Sequence, residues 1–127
     1  MNKALIYTIL PCLLFACNEI EHDTQAPTVN IANPQEGMFV KSGDTITLLG
    51  EVSDEELHEL HLEILKQNDT LVYFQSQPVV HELQSYSINE RWIVPTLKDT
   101  TAVVFSAEAH DHHEHATKKE IKFFIRP

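Results

Sequence analysis

Residues 53–67 read SDEELHELHLEILKQ, and the fold depends on whether this stretch is a helix or a strand. Ser53 and Glu56 fit a helix-capping box, and Leu57, Leu60, Ile64 and Leu65 fit one apolar stripe at helical spacing. A helix would leave Leu62 off that stripe. Leu60, Leu62 and Ile64 also alternate with Glu59, His61 and Glu63, the period of a half-buried strand. The flanking sequence reads as strands, and a lone helix would break the layer they form, so a strand is expected over about residues 58–66.

Outward from this stretch, short alternating segments are separated by turn signals, which predicts an all-β, antiparallel sandwich of about seven strands. Strands are expected at residues 28–32, 45–52, 70–76, 83–94, 101–109 and 118–125, with turns around Pro34 and Gly37, at Ser42-Gly43-Asp44 and at Gln67-Asn68-Asp69. Val103, Phe105, Ala107 and Ala109 share one face, as do Ile121, Phe123 and Ile125. Trp92 aligns with Tyr86, Ile88 and Val94 and is assigned to the core, although Glu90 interrupts that face and marks an edge or a bulge.

The chain opens with one lysine, Lys3, and then runs largely apolar from Ala4 to Ala16 before Cys17. That run fits the ~7–15 residues of a secretory signal and falls short of the ~18 needed to span a bilayer. Leu14-Phe15-Ala16 before Cys17 resembles a bacterial lipobox, with the less usual Phe15 in its middle position. The resemblance implies that Cys17 is lipidated and becomes the first mature residue. An ordinary secretory signal that happens to contain Cys17 is the alternative. Residues 1–16 are thus read as a lipoprotein signal peptide, 17–26 as an acidic tether and 27–127 as the sandwich domain.

Removing residues 1–16 from the 127 leaves 111, enough for one compact domain. Cys12 departs with the leader and Cys17 carries lipid, so no thiol remains for a disulfide or a thiolate metal site. The formal charge of −10 argues against nucleic acid as a partner and against electrostatic docking to anionic lipid. Membrane association would then rest on the acyl chains. The acidic residues after Cys17 are similar to export signals of surface-exposed Bacteroidota lipoproteins, so the expected location is the cell envelope, at the outer membrane on its periplasmic or surface face.

Asp23-Thr-Gln-Ala-Pro27 before the first strand, Gly50-Glu-Val-Ser-Asp54 with Leu57 following, and Ala107-Glu-Ala-His-Asp111 before the last strand resemble bacterial Ig-like domains. The resemblance covers most of the chain after the leader and implies an immunoglobulin-like sandwich. Where such domains usually carry Asp-x-x-Gly-Asn in the last loop, this chain is His-rich, which is similar to an uncharacterised family of Ig-like Bacteroidota lipoproteins with Asp-His-His loops.

That loop, His110-Asp111-His112-His113-Glu114-His115, holds four of the eight histidines. In an extended backbone His110/His112 and His113/His115 would each present two imidazoles to one side. Zinc or copper suits neutral imidazole, and Asp111 or Glu114 can complete a shell or orient a ring. If the strands alternate in direction, the loop after the second strand, the loop near residue 81 and the His-rich loop share one end. That end would gather His22, Asp23, Asp54, Glu55, Glu56, His58 and His81 around His110, Asp111, His112, His113 and His115, while His61 lies mid-strand on a polar face. Calcium on Asp23, Asp54 and Asp111 is the weaker expectation, because imidazoles disfavour an all-oxygen site.

No enzyme is expected. His58-Glu59-Leu60-His61 is one residue short of the His-Glu-x-x-His zinc-protease helix, and there is no phosphate loop or nucleophile elbow. The sequence therefore favours a lipid-anchored metal-binding domain. The alternative is a structural or adhesive module that meets an outer-membrane protein or a glycan, with the histidines solvated.

Overall fold

A computed structural model describes residues 23–127; the leader, Cys17 and the tether as far as His22 lie outside the described residues. Eight strands follow: β1 (Thr28–Asn33), β2 (Phe39–Lys41), β3 (Thr45–Ser53), β4 (Leu57–Lys66), β5 (Val72–Ser76), β6 (Ser85–Ile93), β7 (Thr101–Asp111) and β8 (Ala116–Arg126). They form a sheet of order β1-β3-β6 packed on a sheet of order β2-β8-β7-β4-β5. This division of strands is that of an immunoglobulin-like sandwich.

Within the stretch 53–67, Leu57–Lys66 form strand β4, and Leu60, Leu62 and Ile64 are buried as the alternation requires. Leu57 is buried as well, although its three-residue spacing from Leu60 suits a helix better. A bulge resolves the conflict: Leu57 pairs with Asp111 and Glu59 with His110, so His58 is an extra residue in β4. One inserted residue shifts the alternation and brings Leu57 back to the core.

From the other strands, Leu48, Val52, Ile88, Trp92, Phe105 and Phe123 close the space between the sheets. Trp92 is 5% exposed, meets Phe123 edge-on at 6.1 Å between ring centres, and donates its indole N–H to the Tyr73 carbonyl at 3.4 Å. Glu90 lies on the edge strand β6, where its carboxylate accepts the Ser76 hydroxyl at 3.1 Å, and the β3–β6 register runs unbroken past it.

One strand escaped the sequence pattern. After β1 leaves the smaller sheet, β2 crosses to the larger one and pairs parallel with β8. Three residues give too little alternation to detect, yet Val40 is buried.

Candidate metal centre

Three histidines meet at one end of the sandwich, and each immediately follows a residue fixed in the interior. His58 follows Leu57, His81 follows Val80, and His112 follows Asp111; the three anchors are 0%, 1% and 3% exposed. The bulge turns His58 out of the β4 ladder toward the strand end, a common use of an extra strand residue. His81 lies in the connection from β5 to β6. There Val80 enters the core, the Glu82 N–H donates to the Leu57 carbonyl at 2.9 Å, and the Leu57 N–H donates to the Leu83 carbonyl at 3.0 Å. These bonds hold His81 beside His58.

Asp111 continues the buried face of β7 and holds the turn that carries His112. Its Oδ1 accepts the backbone N–H of His113 at 2.7 Å and of His115 at 2.8 Å, and its Oδ2 lies 2.7 Å from His115 Nδ1. Burial pushes this carboxyl up, but the hydrogen bonds from the His115 N–H, the His115 ring and the His113 N–H together outweigh it. The net pKa is lowered, so Asp111 stays ionised and keeps the turn closed.

One ring nitrogen from each of His58, His81 and His112 lies within 4.8 Å of the other two. His58 Nδ1 and His81 Nδ1 are 3.3 Å apart. Two nitrogens on a tetrahedral ion at ~2.0–2.1 Å would be separated by about 3.3–3.4 Å, so this pair already has the spacing of one edge of a zinc shell. His112 sits with its ring centre 4.4 Å from that of His58 and 4.7 Å from that of His81. In the metal-free arrangement one of the two facing nitrogens must carry a proton and the other a lone pair.

Each of these rings has a carboxylate beside it: Glu59 is 3.7 Å from His58, Glu82 is 3.7 Å from His81, and Glu56 is 3.9 Å from His112. At these distances they are not hydrogen bonds, but three acidic groups around the rings favour a cation between them. The Glu59 carboxyl is held below its usual range. The hydrogen bond from the His61 ring is the main cause, opposing desolvation, and His58, His61 and His110 add to the lowering. Glu59 and Glu82 were legible as the acid following each histidine in a His-Glu pair, a signal the sequence reading did not use.

The other expected ligands are distributed differently. His110 belongs to the outer face of β7, where its Nε2 lies 3.0 Å from Glu108 and its ring 5.9 Å from that of His61. His61 stands mid-strand, between Glu59 at 3.1 Å and Gln77 at 2.7 Å. Because the β7 strand ends at Asp111, His110 and His112 do not share a side as an extended chain would require. His115 is engaged with Asp111, and His113 groups with Asp23 and Asp111. Of the expected set, His58, His81 and His112 come together; His110, His113 and His115 do not join them.

No protein-family model matches the chain, and no curated protein matches it in sequence. Among solved structures, the fibronectin(III)-like modules of Clostridium thermocellum CbhA match 80% of the chain and 47% of their own length, at 17% identity and a TM-score of 0.47. Murine CRIg matches over 80% of the chain and 98% of its own, at 6% identity and a TM-score of 0.46. A crystal structure of an engineered protein matches 80% of the chain at 17% identity and a TM-score of 0.52, and the chain spans a fifth of its length. That likeness is one of fold alone.

Proposed function

We propose that this chain is a lipid-anchored, immunoglobulin-like domain of the bacterial cell envelope that holds a transition-metal ion, zinc or copper, on His58, His81 and His112. The observation that carries the reading is the convergence of three imidazoles from the β4 bulge, the β5–β6 connection and the turn after β7, two of them already at the spacing of adjacent ligands. Three neutral nitrogens leave a fourth position open, and that position lets a bound ion be passed on. The three neighbouring carboxylates and the formal charge of −10 raise the local cation concentration. The proposed role is to buffer or hand over metal at the membrane surface rather than to catalyse a reaction. The envelope location rests on the leader and on Cys17.

Calorimetric titration of the full chain in detergent, purified without a His-tag, tests the reading. The expected result is saturable zinc or copper binding from which His58→Ala or His112→Ala removes one equivalent; titrations that neither substitution alters would overturn the reading. No saturable heat with either metal would end the proposal.

A further inference from the structure

A second group of ligand atoms draws on the same turn. Asp23, Asp111 and His113 each place one donor atom within 4.8 Å of the others. Asp23 Oδ1 accepts the Gln25 N–H at 2.9 Å, whereas Asp23 Oδ2 is buried and has no hydrogen-bond partner among the described residues. Buried carboxylate oxygens are seldom left in that condition, because the lost hydration must be replaced by a donor or a cation. The Asp111 side chain is wholly buried beside it. Among the described residues no lysine or arginine forms an ion pair with either carboxylate, so two negative groups share a protected corner without a strong positive partner.

We propose that Asp23, Asp111 and His113 form a second divalent-cation site, distinct in chemistry from the three-histidine site. Two carboxylates and one imidazole make a mixed oxygen–nitrogen donor set, which suits zinc or manganese and not calcium, whose shells take six to eight oxygens. Asp111 has its two oxygens engaged in holding the turn, and a carboxylate keeps further lone pairs for a cation. An ion here satisfies Asp23 Oδ2 and clasps the approach to β1 onto the turn between β7 and β8. Because Asp111 also fixes the backbone that carries His112, the two sites share one structural support.

The test is zinc stoichiometry of the full chain in detergent. A His58→Ala/His81→Ala variant, in which the first site is dismantled, should still bind one equivalent of zinc, and adding Asp23→Asn should abolish that equivalent. Asp23→Asn by itself should remove one of two equivalents and leave binding at the three-histidine site, so failure of one site is distinguishable from failure of the other. Asp23 lies outside every strand pairing, so thermal unfolding of Asp23→Asn should match the wild type in chelator. Manganese should bind the double variant and broaden the His113 ring resonances. The proposal is overturned if the double variant binds neither zinc nor manganese, if Asp23→Asn leaves its binding unchanged, or if calcium binds there and zinc does not.

Discussion

His58 owes its position to a single inserted residue in β4, and that insertion also explains why the sequence was hard to read there. Leu57 and Leu60 are both buried, at a spacing that mimics a helix, because the bulge adds one residue to the strand period. Nothing in the local residue types announces a bulge, so the strand was legible and the exact aim of His58 was not. His81 is the sharper test of convergence, since it is remote in sequence from the turn that holds His112. Replacing His81 by Ala should remove a direct ligand and weaken zinc binding at the three-histidine site by more than the about 10–100-fold that loss of an outer-shell partner costs, measured by calorimetry. Unchanged affinity would mean that the turn binds alone. Asp111 has a different task. Asp111→Asn should lower unfolding stability by about 1–3 kcal/mol at neutral pH, because it weakens three hydrogen bonds to a buried carboxylate. The folded pKa of Asp111 is lowered, so its contribution is complete above the ordinary value of ~3.9 and is lost as pH falls through the lower folded value. Acid unfolding of the two proteins should show their stability difference shrinking below about pH 4.

At the level of elements, the seven longer strands were legible because each carries enough alternation to show which face is buried. The short β2 was not, because its burial depends on β8 lying beside it. The same limit applied to the His-rich loop. Its composition marked a ligand-dense segment, but which ring faces which partner is set where β7 stops, and that is fixed by Asp111 turning into the core. Two substitutions test the packing independently of any metal. Trp92→Ala should cost ~3–5 kcal/mol through the cavity it leaves between the sheets, seen in denaturant unfolding with or without zinc. Gly50→Ala should cost about 1–3 kcal/mol, since a Cβ there would run into the Asn30 carbonyl of the neighbouring strand β1 and crowd Ile88. A neutral effect at Gly50 would mean that β1 yields freely and is not held in the register described.

Across the whole molecule, the sandwich is a rigid frame whose strand directions bring three connections to one end, and the His-rich end is where those connections meet. The convergence follows from alternating strand directions in the sequence; the division into one group of three histidines and another of Asp23, Asp111 and His113 does not, because it depends on side-chain direction at a tight turn. A ligand bound by the folded state alone stabilises it by mass action, so zinc should raise the melting temperature of the wild type and leave that of the His58→Ala/His81→Ala/Asp23→Asn variant unchanged. Binding should weaken in acid, because protons compete with the metal for the imidazole nitrogens. The most direct measurement is nitrogen NMR of the imidazole rings during a zinc titration. The account predicts that the ring nitrogens of His58, His81 and His112 move together and saturate at the same zinc equivalent, while His61 and His110 remain at their metal-free positions. Rings of His58 and His81 that stay unmoved while only the turn histidines respond would contradict it.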